Sequence, residues 1–159
     1  MPDDPILLYW DAGVFLAYIN GETERLKHLD AFLDPNGKEG QIHTSMISIV
    51  EVAFGKAEQD GKVLEAEIEK KINRLWAPAS PIRLVEFHAL IAEGAKDLMR
   101  YALTQGQGWK LKPMDAIHLS TARNMAVKQI HTYDEGWDKY GTYLGIPIGR
   151  PIAKAPKLL

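Results

Sequence analysis

Apolar positions along the chain follow two rhythms. Short runs at residues 6–10, 41–44, 82–85 and 129–132 predict strands, with a possible last strand at 146–148. Between them, apolar residues three or four apart predict helices. Val14, Phe15, Leu16, Tyr18 and Ile19 form one such face, stopped by Asn20-Gly21. Leu26, Leu29, Phe32 and Leu33 form a second, ended by Asp34-Pro35-Asn36-Gly37. Met46, Ile49, Val50, Val52, Ala53 and Phe54 mark a third helix, for which Thr44 or Ser45 is the natural N-cap. Gly61 opens a charged helix to about residue 76, with Val63, Leu64, Ile68, Ile72 and Leu75 on its buried face. A long helix over 87–103 runs into Gln105-Gly106-Gln107-Gly108, read as a hinge because it lacks the Gly-Lys-Ser/Thr ending of a phosphate loop. Pro113 begins the next helix, which reaches about residue 127, and a short one covers 135–144.

Strands alternating with helices predict an α/β fold, a short parallel β-sheet flanked by helices on both faces. Residues 1–148 read as one domain. Residues 149–159 form a basic tail with two prolines, Arg150, Lys154 and Lys157, expected to be a mobile end.

Composition narrows the function classes. At 159 residues and 46% hydrophobic, the chain suits one core of ordinary size. A net charge of -2 supplies no global basic field, so contact with a polyanion must come from a local patch or a bound cation. The absence of cysteine removes disulfides, thiolate zinc sites and cysteine nucleophiles. Residues 1–8 lack a basic stretch followed by a long apolar run, and no segment reaches bilayer-spanning length; the expectation is a cytoplasmic protein without a membrane partner.

The candidate chemistry lies in four acids, Asp11, Glu51, Asp115 and Asp134. Each has an ordinary structural explanation. Asp11 and Asp134 follow a strand and precede a helix, where an acid caps backbone N–H groups. Ser48-Ile49-Val50-Glu51 fits a capping box, and Asp115 stands in a first turn, where the helix dipole favours an anion. Jointly those explanations weaken, because Asp11, Glu51 and Asp134 fall near the carboxyl ends of strands, the edge where ligands bind in such sheets. Four converging carboxylates repel one another unless a cation sits among them. Hard oxygen ligands suit Mg²⁺ or Mn²⁺.

The chain resembles the PIN-domain nucleases, and among them the VapC-type toxins of toxin–antitoxin pairs. The resemblance rests on Leu7-Leu8-Tyr9-Trp10-Asp11, on residues 44–51 ending in Glu51, on Asp115-Ala116-Ile117-His118-Leu119-Ser120-Thr121-Ala122, and on Thr132-Tyr133-Asp134. It implies that Asp11, Glu51, Asp115 and Asp134 bind magnesium or manganese and catalyse RNA phosphodiester hydrolysis. It further implies a homodimer and an antitoxin packed on helices near residues 22–76. Many members carry Ser or Thr where this chain has Gly13, so that hydroxyl is either missing here or supplied elsewhere by Thr44, Ser45 or Thr132. Asp138, one turn beyond Asp134, is a candidate to share or replace its role.

Two bound ions about 3.5–4 Å apart would activate water and stabilise the leaving oxygen, with no protein nucleophile. Lys110, Lys112 and Arg123 are candidates for phosphate contact, although surface charge is the simpler reading of each. His118, His43, Trp10 and Trp137 read as core or pocket wall. The alternatives are a housekeeping ribonuclease of the same fold and a catalytically silent RNA- or protein-binding domain. A phosphatase using Asp11 as nucleophile would need a second Asp at position 13, which is glycine.

Overall fold

The computed structural model describes residues 4–158. Its five strands are β1 (Leu7–Trp10), β2 (Gln41–Ser45), β3 (Arg83–Val85), β4 (Gln129–His131) and β5 (Ile148–Gly149). All pair in parallel, in the order β3-β2-β1-β4-β5. Chain order reverses at β1, which pairs with β2 on one side and β4 on the other; a crevice opens there at the carboxyl ends of the strands.

Side-chain alternation along β1 divides the core. Leu8 and Trp10 face a cluster with Val14, Phe15, Leu29, Phe32, Val52 and Ile72. These come from α1 (Ala12–Asn20), α2 (Thr23–Leu33), α3 (Ile47–Gln59) and α4 (Ala66–Leu75). Tyr9 points the other way, into a cluster with Leu98, Leu119, Ala122, Ile130, Trp137 and Tyr140. That side is built from α5 (Ala89–Leu103), α6 (Pro113–Asn124) and α7 (Tyr140–Leu144). Helices thus cover both faces of a single α/β domain.

Helix α5 packs closely on α6 through Gly94, where an added Cβ would collide with Ser120 Oγ. The Ser120 hydroxyl donates to Ile91 O at 2.7 Å, tying the two helices together.

Several element ends differ from the expected ones, for backbone reasons. The charged helix begins at Ala66 rather than Gly61, because Gly61 and Lys62 both take positive φ, 76° and 67°. Helix α6 stops at Asn124, short of 127, where Ala126 has φ 52°. The helix expected over 135–144 is a 3₁₀ turn at Glu135–Trp137 followed by α7. The tail expected to be mobile is tied down: the N–H of Ala153 donates to His28 Nδ1, and those of Lys154 and Ala155 donate to the Glu39 carboxylate.

Candidate functional site

Asp11 follows β1 directly and caps α1. Its Oδ1 accepts from Val14 N at 3.1 Å and its Oδ2 accepts the Thr132 hydroxyl at 2.6 Å. Thr132 leaves β4, the other wall of the crevice, so this bond spans the point where strand order reverses. The same hydroxyl accepts from Asp134 N at 3.0 Å, and Asp134 Oδ1 accepts from Gly136 N at 2.9 Å. Both aspartates therefore do act as caps. Asp11 is nevertheless only 7% exposed, and burial pushes its carboxyl pKa upward against the bonds from Thr132 and Val14 and the nearby His118. Of Thr44, Ser45 and Thr132, it is Thr132 whose hydroxyl bonds the Asp11 carboxylate.

Glu51 sits one turn inside α3. The Ser45 hydroxyl accepts from Ile47 N at 3.3 Å, and the Thr44 hydroxyl donates to Trp10 O and bonds the Ser48 hydroxyl, each at 2.7 Å. The helix therefore starts before Ser48, and the capping box does not form. Instead Glu51 Oε1 lies 2.6 Å from His118 Nε2. His118 is 1% exposed, and its Nδ1 is 2.7 Å from Tyr9 Oη, which accepts from Ser45 N at 3.1 Å. His118 is thus a bonded core residue, as its place between Ile117 and Leu119 implied.

Asp115 stands in the first turn of α6 behind Pro113, half-buried. Its pKa is raised first by burial and then by the negative charges of Asp134 and Glu51, with His118 and Lys112 opposing. Asp115 in turn raises Asp11. Asp115 is therefore close enough to Asp11, Glu51 and Asp134 to feel or exert charge on each. They are not drawn into a tight cage: among the described residues, no three His, Asp or Glu side chains are gathered closely enough to hold an ion as they stand. The donor set is nonetheless suited to a hard divalent cation, being all carboxylate oxygen with two members destabilised as anions. Magnesium, which keeps several waters, needs no closed protein cage.

Asp138 is otherwise engaged. Arg150 Nη2 reaches both its oxygens at 3.1 and 3.2 Å, and Arg150 Nη1 donates to Thr132 O at 2.6 Å. Arg150 and Tyr9 carry no signal in the linear sequence; one reads as tail charge, the other as a strand aromatic. Lys110, Lys112 and Arg123 are exposed, and Arg123 lies over the Tyr143 ring. Trp10 and Trp137 are buried in the two core clusters, and His43 is buried with Nδ1 3.3 Å from Gln41 O. A cleft of about 840 Å³ lies at the opposite sheet edge among Ile6, Gln41 and Arg83, away from the acids.

A family model described as PIN domain matches residues 8–142. No curated protein matches the sequence. Among solved structures, a toxin–antitoxin complex from Klebsiella pneumoniae aligns at 20% identity and TM-score 0.59, covering 92% of this chain and 98% of that one. A DNA-bound VapBC from Salmonella typhimurium aligns at 15% identity and TM-score 0.65, covering 90% and 96%. A sarcin–ricin loop cleaving VapC toxin of Mycobacterium tuberculosis aligns at 14% identity and TM-score 0.61, covering 84% and 95%. At these identities the likeness is one of fold.

Proposed function

The chain belongs to the PIN domain family, and from that premise we propose that it is a metal-dependent ribonuclease, the toxin of a toxin–antitoxin pair. The observation that carries this reading is the convergence at the carboxyl edge where strand order reverses: Thr132 ties Asp11 to Asp134, and Asp115 lies near enough to Asp11, Glu51 and Asp134 to couple to each in charge. In this reading all four hold Mg²⁺ or Mn²⁺. Bound there, the cation would supply Lewis acidity and a water of lowered pKa.

The chain's own residues do the rest. Thr132 holds Asp11 and the backbone of Asp134 in register, and Lys112 puts a positive charge beside Asp115 where a substrate phosphate could meet it. The carboxylates accept protons from water rather than attack phosphorus. The Thr132 bond to Asp11, at a site where Gly13 offers no hydroxyl, supports an active nuclease over a silent domain.

A partner surface is available on α3, where Val50 and Phe54 are 68% and 63% exposed beside Met46. An antitoxin segment covering it would remove a strip of apolar surface from water. Phe87, Leu103 and Pro113 line an apolar groove of about 500 Å³ suited to a homodimer contact. No helix among the described residues is long and apolar enough to cross a membrane, and a cytoplasmic setting is part of the proposal. So is the division into a nuclease domain over 1–148 and a tail over 149–159.

Cleavage of defined single-stranded and hairpin RNAs with Mg²⁺, Mn²⁺ or EDTA tests the activity. The wild type should cleave only with metal, and Asp115→Asn should fall to background. Cleavage in EDTA, or undiminished cleavage by Asp115→Asn, would refute it. Growth arrest on expression, relieved by the product of a neighbouring small reading frame, would separate a toxin from a housekeeping ribonuclease.

A further inference from the structure

We propose that His118 and Tyr9 are positioning residues, a buried relay that starts at the Ser45 amide and fixes the Glu51 carboxylate relative to Asp11 and Asp115. The inference rests on the metal-site reading above and extends it to residues that no ligand need touch.

For a neutral His118 ring the bonding order follows from donor counting. The Ser45 amide can only donate, so Tyr9 Oη accepts from it at 3.1 Å and its own proton is free to go to His118 Nδ1, 2.7 Å away. With Nδ1 as acceptor, the ring hydrogen lies on Nε2, which donates to Glu51 Oε1 at 2.6 Å. The other neutral tautomer would set two lone pairs against each other over that distance. Oε1 is thereby engaged, and Oε2 is left as the oxygen available to a cation.

The placement of the relay explains why it would matter to the site. Its members come from the end of β2, from β1, from α6 and from α3. Tyr9 is two residues before Asp11 on the strand leading to it, and His118 is one helical turn after Asp115. The same two residues that hold Glu51 are thus joined by short, rigid backbone to Asp11 and Asp115. Glu51 needs the tether: its side chain is 26% exposed, on a helix whose neighbouring Val50 and Phe54 face solvent. An untethered glutamate there would sample several rotamers and present a carboxylate to the cation only part of the time. Partners that orient a ligating carboxylate typically contribute 10–100-fold to metal affinity or activity.

The test uses the full chain and three variants. Tyr9→Phe removes only the orienting hydroxyl, His118→Leu removes both bonds, and His118→Gln offers an amide N–H to Glu51 in place of the ring. Long-range ¹H–¹⁵N spectra of the metal-free protein should show His118 with its hydrogen on Nε2, and a mixture of tautomers in Tyr9→Phe. Mn²⁺ alone, titrated by calorimetry, should bind about 10-fold more weakly to Tyr9→Phe and up to about 100-fold more weakly to His118→Leu, with His118→Gln recovering part of the loss. On RNA, kcat should fall with KM little changed. Mn²⁺ affinities within twofold of wild type in all three variants overturn the relay, as do losses that merely track thermal stability with no recovery in His118→Gln. A wild type that cleaves RNA while the variants bind Mn²⁺ normally sinks the relay alone. A wild type that neither binds Mn²⁺ nor cleaves sinks the metal-site reading and the relay with it.

Discussion

Thr132→Val keeps the side-chain outline and removes one hydroxyl that serves two acids. Thr132 is fully buried; its O–H donates to Asp11 Oδ2 at 2.6 Å and its oxygen accepts from Asp134 N at 3.0 Å. A hydrogen bond to a charged group contributes about 1.5–3 kcal/mol, and a part-buried N–H left unpaired adds up to about 1 kcal/mol. The expected cost in metal-free protein at neutral pH is therefore about 1.5–4 kcal/mol. It should also depend on pH. Burial already holds the folded-state pKa of Asp11 above 3.8, and the Thr132 bond pulls it back down. Deleting the hydroxyl raises it further. A folded pKa above the unfolded one contributes stability that is complete below the unfolded value and lost as pH rises through the folded value. The variant thus loses more than wild type on the way to neutral pH, and the gap between them narrows as Asp11 protonates. Urea denaturation in EDTA from pH 4 to 7.5 measures this directly. A difference below about 0.5 kcal/mol, or one that is flat across the range, refutes the reasoning.

Burial lowers the His131 pKa to about 4, and its Nδ1 accepts from Trp10 Nε1 at 3.0 Å, a bond that protonation breaks. A depressed folded pKa gives stability present above 6.5 and lost as pH falls toward 4, on the order of 3 kcal/mol. His131→Asn keeps an acceptor with no proton to gain and should remove that slope in acid titrations followed by circular dichroism. Arg150→Ala should cost about 1–2 kcal/mol and speed amide exchange over residues 132–138. Arg150→Lys should not restore it, because an ammonium cannot bridge Thr132 O and both Asp138 oxygens. Phe54→Ser, at a 63% exposed position, should leave the urea midpoint nearly unchanged while weakening binding to a cognate antitoxin in calorimetry.

Element types were legible because burial imposes periodicity on the sequence. Ile6 to Trp10 is a continuous apolar run, as a strand buried on both faces requires, and Ile72 and Leu75 write a helix at a spacing of three. Element ends were less legible. The positive φ of Lys62 and Ala126 breaks helices at residues that carry no glycine signal. Asp11 and Asp134 were readable both as caps and as site acids, and the structure shows the caps to be real without emptying the second reading.

By itself, the sequence determined the alternation of strands and helices, hence a parallel sheet, and it marked four acids near strand and helix ends. Local pattern suffices for these because each depends on neighbours a few residues away. The tertiary structure decided which hydroxyl bonds Asp11, which acid Arg150 pairs with, and what holds Glu51. Those contacts join residues 121, 12 and 67 positions apart, Thr132 to Asp11, Arg150 to Asp138 and His118 to Glu51. A hydrogen bond between side chains so far apart leaves no periodic trace in the chain; it exists only once β1, β4, α3 and α6 are packed together.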